Sequence, residues 1–372
     1  MPVSDSFFAV GRERGQMAYF LPDGSTHSPD AGFIRGAIRD GLIDSIHSWG
    51  DFNTAPPQPQ FLRSVAERLT GEFCDLGLNV KVWINHGSPN NRQNLKARLQ
   101  PAYKGDDPQS PYYTSDLIHD LGIKFYWWSE VLPWPLSGRL KRQSPRICAR
   151  LSVNILKNTI KSLTGRKNQT RKASQLTGLG HPVILCDGTQ IIGFTRFNRC
   201  SQGVWSLPTR HTLRYSLSPR VLNELLEKEG YLILYTHLGL PREHGDKLFP
   251  GPDEEALFGL ARHYNNGDIW VAPTGHLLDY WLVNRYLTWQ AFQEGKKLVI
   301  KLLSLNDPLN GSRVPLENEL SGLCFYTPKP NETIVRIGNR ELSVNIYPPD
   351  HSGQASVGLD TAPPPRTDLI EE

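Results

Sequence analysis

Three histidines stand at the ends of apolar runs, each with a glycine close behind: His47 in Ser45-Ile46-His47-Ser48-Trp49-Gly50-Asp51, His86 in Val82-Trp83-Ile84-Asn85-His86-Gly87, and His237 in Tyr231-Leu232-Ile233-Leu234-Tyr235-Thr236-His237-Leu238-Gly239. Imidazole titrates near neutrality, so these residues can move protons or bind a metal ion. A fourth run, Lys124-Phe125-Tyr126-Trp127-Trp128, has the same make-up and is followed by Glu130. Runs rich in β-branched and aromatic residues read as buried strands of a parallel sheet, whose carboxyl ends face the ligand crevice. The layout therefore predicts that His47, His86 and His237 meet at one mouth. His237 is a candidate proton-transfer group, and Glu130 is a candidate base from the same strand-end position. Trp49 and Trp128, with Trp127, Trp134 and Trp270, lie at or just past strand ends and could stack on the apolar face of a sugar ring; His86 joins them as a candidate substrate contact. Each has a plainer alternative: a histidine hydrogen-bonded in its loop, the flank of a Gly-Ser-Pro turn, or rim packing of aromatic rings.

These positions need strands and helices in alternation. Val3 to Gly11 reads as a strand, and Asp30 to Asp40 as a short helix feeding the His47 strand. Phe61, Val65, Leu69 and Phe73 recur every fourth residue, and Gly77 follows as a stop before the strand Asn79 to Asn85. Thr114 to Leu121 and Ile123 to Trp128 repeat the grammar. It resumes with Pro219 to Glu229 before the His237 run, then Asp253 to Asn265, the strand Asp268 to Ala272, and an aromatic-rich helix Leu277 to Phe292. Alternation of this kind predicts an α/β fold with a parallel sheet, closed or nearly closed. Leu132 to Ser206 breaks the pattern and reads as an insertion: a basic stretch over 139–172, then two apolar runs around Asp187-Gly188, a hairpin signal. After Gly295 the period changes to two. Leu298 to Leu303, Leu323 to Thr327, Thr333 to Ile337 and Leu342 to Ile346 then form a C-terminal β appendage over 296–350, and 351–372 reads as a frayed tail.

The 372 residues carry 41 Lys and Arg against 37 Asp and Glu, a formal net charge of +4, too small to signal a nucleic-acid binder. Charge is uneven: no acidic residue lies between Glu130 and Asp187, and Arg139, Lys141, Arg142, Arg146, Arg150, Lys157, Lys161, Arg166, Lys167, Arg171 and Lys172 fall in that window. This segment fits a solvated helix face or contact with an anionic glycan. Five cysteines without a CxxC pair indicate neither a disulfide framework nor a zinc ribbon. Neither a leader pattern at the start nor an apolar run of membrane-spanning length is present, so a cytoplasmic location and no membrane span are expected. Oligomeric state is not legible.

The run Arg39 to Asp51 resembles the second motif of the polysaccharide deacetylase family, a glycine-led strand carrying two metal-binding histidines four residues apart. His47 and Ser48 match; Asp51 stands where the second histidine would be and could ligate through oxygen. Leu232 to His237 resembles the family's late strand, whose histidine is the acid toward the departing amine. Ser4 to Val10 is similar to the family's second strand, so its first strand, with paired aspartates, would lie before Met1. The resemblance implies a (β/α)7-type barrel over residues 1–295, incomplete at its N-terminus, a divalent metal of the zinc type held by His47 and Asp51, and hydrolysis of N-acetyl groups on a carbohydrate. The missing aspartates leave a second expectation open, a catalytically silent barrel that binds saccharide or supports a partner protein. A glycoside hydrolase would need two facing carboxylates, for which Glu130 and Asp51 are the candidates.

Overall fold

The computed structural model describes residues 4–11, 16–52, 61–97, 100–138, 178–200, 207–238, 247–350 and 352–359. The basic segment, and the tail beyond 359, lie outside these. Seven strands build the main sheet: β1 (Asp5–Val10), β2 (Ala18–Phe20), β3 (Ile43–Ile46), β4 (Val82–Ile84), β5 (Phe125–Leu132), β6 (Gly180–Ile184) and β7 (Gln190–Phe197), in the order β2-β1-β3-β4-β5-β7-β6. All neighbours pair in parallel except β6, which runs antiparallel to β7. Helices α1 (Ala31–Arg39), α2 (Arg63–Asp75) and α3 (Ser115–Asp120) are the crossovers between parallel strands. Their apolar positions fall on one face: Ile34 and Ala37 of α1, and Val65, Leu69 and Phe73 of α2, are buried against the sheet.

Period-two alternation divides the strands between two cores. Trp83, Tyr126 and Trp128 point to the α1–α2 side, whereas Val82, Ile84, Phe125, Ile192 and Phe194 point to the other. That second side is covered by Leu278, Trp281 and Leu282 of a late helix, Thr274–Tyr286, and by the C-terminal strands. In a barrel this face would line a lumen. Here it is packed on a helix, and the sheet among the described residues is open, ending on β2 and β6. The late helix is tied down at its start, where the Gly275 amide donates to the buried Asp44 carboxylate at 2.5 Å, an acid at a helix N-terminus.

Among the described residues four α-helices follow β7: α4 (Leu213–Ser216), α5 (Pro219–Glu227), α6 (Gly251–Asn265) and the late helix, α7 (Thr274–Tyr286). The His237 run is held by isolated bridges rather than a continuous ladder: Leu234 pairs in parallel with Phe197 of β7, and His237 with Thr209. Asp268 to Ala272, expected as a strand, is irregular. The hairpin around Asp187-Gly188 forms as β6 and β7, but it is part of the main sheet and not an appendage, because β7 pairs along β5 from Phe125 to Trp127 and again past a bulge.

The C-terminal unit starts earlier than period alone indicated. β8 (Leu287–Glu294) occupies the second half of the expected aromatic helix and pairs antiparallel with β9 (Lys297–Asp307), turning at Gly295, where φ is +60°. The pair joins β10 (Gly311–Arg313), β12 (Thr333–Ile337) and β13 (Arg340–Leu342), while β11 (Cys324–Tyr326), β14 (Val344–Tyr347) and β15 (Ser356–Leu359) make a small separate sheet. β15 lies in the stretch expected to be frayed; its Val357 is fully buried, because β11 and β14 give it a partner on each side.

Candidate functional site

His47 and His86 do meet. They follow adjacent parallel strands, β3 and β4, and His86 Nδ1 lies 3.1 Å from His47 Nε2. His86 Nε2 is 3.3 Å from Asp51 Oδ2. A carboxylate only accepts, so in the neutral state His86 carries its proton on Nε2, and its bare Nδ1 accepts from His47 Nε2–H. The three groups form a file, Asp51–His86–His47, that leaves the Nδ1 lone pair of His47 at its head. Phe8 braces both rings, stacked on His47 at 4.7 Å and edge-on to His86 at 5.3 Å.

A buried amide shelf sets this geometry. Asn91 donates to Asp51 Oδ1 at 3.1 Å and to the Gly87 carbonyl at 2.6 Å, and receives the Phe52 amide at 2.7 Å. Gln93 donates to Ser48 Oγ and the Gly50 carbonyl, and Asn94 holds the His86 backbone at both its N–H and its C=O. Asn85, Asn91, Gln93 and Asn94 have no exposed surface, so their amides can bond only within the fold; among the described residues Gln93 Oε1 alone of this set is left without a partner. The shelf cross-links the turns after β3 and β4. The sequence reads Gly87 to Asn91 as a turn; the signal of the shelf is the set of amides Asn90, Asn91, Gln93 and Asn94 shortly after a strand-end histidine.

The shelf rests on Gly105, whose N–H donates to the Asn94 carbonyl at 2.8 Å and whose carbonyl receives both Thr114 and Ser115. A Cβ there would fall well inside the van der Waals limit of the Gln93 carbonyl oxygen. Gly105→Ala is therefore expected to cost about 1–3 kcal/mol through backbone displacement. Urea unfolding of the variant checks this, and an unchanged midpoint would contradict it.

Backbone strain marks the same edge. Ser48, Ser88 and Ser129 adopt left-handed φ values of +62°, +77° and +71°, just past β3, just past β4, and at the bulge within β5. Non-glycine residues pay for this conformation and cluster where geometry serves a site.

His237 ends the run bridged to β7 through Leu234 and Phe197. Its Nδ1 lies 2.9 Å from the Pro208 carbonyl, an acceptor only, so Nδ1 carries the proton and Nε2 is left bare. Burial, and then the charges of His86, Arg196 and His237, hold His47 well below the ordinary imidazole value. His237 is likewise lowered, chiefly by burial, with the Pro208 bond opposing and Arg196 and His86 adding to the shift. The strand-end layout is seen geometrically in the His47–His86 contact; His237 contacts Tyr235, at 5.9 Å between ring centroids.

The aromatic candidates fare differently. Trp49 is fully buried, edge-to-face with Trp83 at 5.2 Å, and Trp128 is 5% exposed with its ring 3.9 Å from His181. Neither can stack on a ligand; alternation turned both into the core. Glu130 sits at the β5 bulge, where its backbone carbonyl accepts Trp127 Nε1–H at 2.9 Å; the carboxylate against His86 is Asp51. The residue that sequence reading missed is Arg196 of β7, buried between Trp127 and Tyr235.

The metal that the resemblance implies does not fit this arrangement. His86 spends both ring nitrogens, one on His47 and one on Asp51, so the donors run in a file rather than converging on a point. Among the described residues no three His, Cys, Asp or Glu side chains form a set able to hold an ion. None of the described helices is long and apolar enough to cross a membrane. No family model, curated protein or solved structure matches this chain.

Proposed function

We propose that this chain is a hydrolase that removes N-acetyl groups from a carbohydrate, using its imidazoles as the acid–base machinery. The observation that carries the reading is the Asp51–His86–His47 file at the carboxyl edge of the parallel sheet. Kinship with the deacetylase barrels is part of the proposal; what supports it is the order of strands, crossover helices and strand-end histidines.

Amide hydrolysis needs a base for the attacking water and a proton for the departing nitrogen. His47, neutral near pH 7, takes the water proton at Nδ1. The positive charge is then shared through the Nε2–H···Nδ1 bond with His86 and stabilised by Asp51. The nitrogen lost from the carbonyl receives a proton in turn, from the His47 file or from His237 Nε2 once that atom has been protonated. Water thus supplies the hydroxyl of the released acetate and one hydrogen of the amine.

Purified protein incubated with N-acetylated chito-oligosaccharides is expected to release acetate, followed enzymatically, and His47→Gln should not. Oligosaccharide binding without release would favour the silent saccharide-binding barrel. One equivalent of zinc in the purified protein, lost in His47→Gln, would replace the imidazole mechanism with a metal-dependent one. Asp51→Asn removes one charge-assisted hydrogen bond from the file and should slow release roughly tenfold to a hundredfold. A rate equal to wild type would show that Asp51 does not support His86.

A further inference from the structure

Arg196 is 7% exposed, and its guanidinium carbon lies 4.6 Å from the Trp127 ring and 4.7 Å from the Tyr235 ring. The two rings adjoin each other, centroids 5.8 Å apart, and both face the guanidinium; a π face stabilises the cation but takes none of its in-plane N–H bonds. Nε is buried without a hydrogen-bond partner, and no carboxylate among the described residues pairs with the group. A buried charge left without a counter-charge is costly, and proteins rarely keep one without a use for it. Burial pulls its pKa down to about 10, so it stays protonated at neutral pH. Its charge is felt by both His47 and His237, which puts it at the mouth already described and not at a remote surface. Tyr235 links the two, edge-on to His237 at 5.9 Å.

We propose that Arg196 is an anion-recognition residue: the site takes a substrate bearing an oxyanion, a carboxylate or a phosphate, which pairs with the free edge of the guanidinium. Placing the substrate's N-acetyl group against the imidazoles rests on the hydrolase reading; the anion site itself rests on Arg196 alone. The adjoining Trp127 and Tyr235 rings hold the fork, so that two parallel N–H groups can meet a planar or tetrahedral oxyanion, which a lysine could not reproduce.

The test is calorimetric titration of the full chain at about pH 7.5 with N-acetylglucosamine, its C6 carboxylate, its 6-phosphate, and inorganic phosphate, on wild type and on Arg196→Met. At least one charged sugar is expected to bind wild type roughly tenfold to a hundredfold more tightly than the neutral one, and Arg196→Met should erase the difference. The preferred sugar tells carboxylate from phosphate. Equal binding of neutral and charged sugars to wild type would overturn the proposal, as would an advantage that survives in the variant. Should Arg196→Met not fold, the Arg196 Nε–H resonance of wild type must shift on adding the charged sugar, and an unmoved resonance overturns the assignment. Charged sugars bound through Arg196 without acetate release would keep this site and sink the hydrolase. Equal acetate release from neutral and charged sugars, unaltered by Arg196→Met, would keep the hydrolase and sink this site. A fall in kcat with all affinities unchanged would make Arg196 a transition-state group instead, which also defeats the proposal.

Discussion

His47→Gln is expected to lower acetate release by roughly 10²- to 10⁴-fold, the span of a lost general base. Glutamine approximates the volume and can still donate to His86, so the Asp51–His86 contact survives while the lone pair at the head of the file is gone. Phe8, stacked on the imidazole at 4.7 Å, should accept the planar amide with little repacking. The pH profile separates this role from a structural one. Because burial and the adjacent His86, Arg196 and His237 lower the His47 pKa, wild-type kcat/KM should stay flat from about pH 8 to below the ordinary imidazole value of about 6.5, and fall only in more acid solution. The residual activity of His47→Gln should lack that acid limb. An acid limb of the same shape in both proteins would remove His47 from the reaction.

The second large effect is on stability and requires no substrate. His47, His237 and His276 all have lowered pKa values in the fold, in each case chiefly through burial; for His276 Lys81 adds to the shift and Asp279 opposes it. A histidine with a depressed folded-state pKa refuses a proton that the unfolded chain accepts. At about pH 8 both states are neutral and no penalty exists. As pH falls through about 6.5 the unfolded chain takes up protons first, so the fold loses up to about 1.4 kcal/mol per pH unit for each such histidine. The loss levels off below the folded-state pKa, where both states are charged. Urea unfolding between about pH 8 and 5 should therefore reveal a steep acid-side decline. Asp5 and Asp44, whose carboxyls are raised by burial, act with the opposite sign. Subtracting the His47→Gln curve from wild type cancels their contribution, and the difference should grow steadily on acidification. A difference independent of pH would mean that His47 titrates normally.

Much of the local structure was legible in the sequence. Phe61, Val65, Leu69 and Phe73 at helical spacing form the buried face of α2, and Gly77 ends its turn with φ at +61°. The Asp187-Gly188 signal made the β6–β7 hairpin. Leu287 to Glu294 was misread because its aromatic residues suit a helix or a strand alike, and only the ladder to β9 decides between them. Trp49 and Trp128 were misassigned for a related reason: a tryptophan past a strand end can face the mouth or the core, and rotation of the chain through one residue exchanges the two.

The strand-end histidines are legible from residue order and period. A parallel arrangement of β3 and β4 carries whatever follows Ile46 and Ile84 to the same edge, so the meeting of His47 with His86 is a consequence of order and period. Tertiary structure alone decided the rest. Whether the second face of the sheet closed on itself or took a cover depended on α7 finding Asp44, 231 residues from Gly275, and the apolar residues of β4, β5 and β7, all contacts too distant in the chain for any local pattern to encode. The same long-range packing put Arg196, unremarkable in the sequence, between Trp127 and Tyr235 beside the imidazoles. The physical reason is common to both: periodicity records which side of a strand is apolar, but the partner that buries that side, and the charge it traps there, exist only once distant segments have packed.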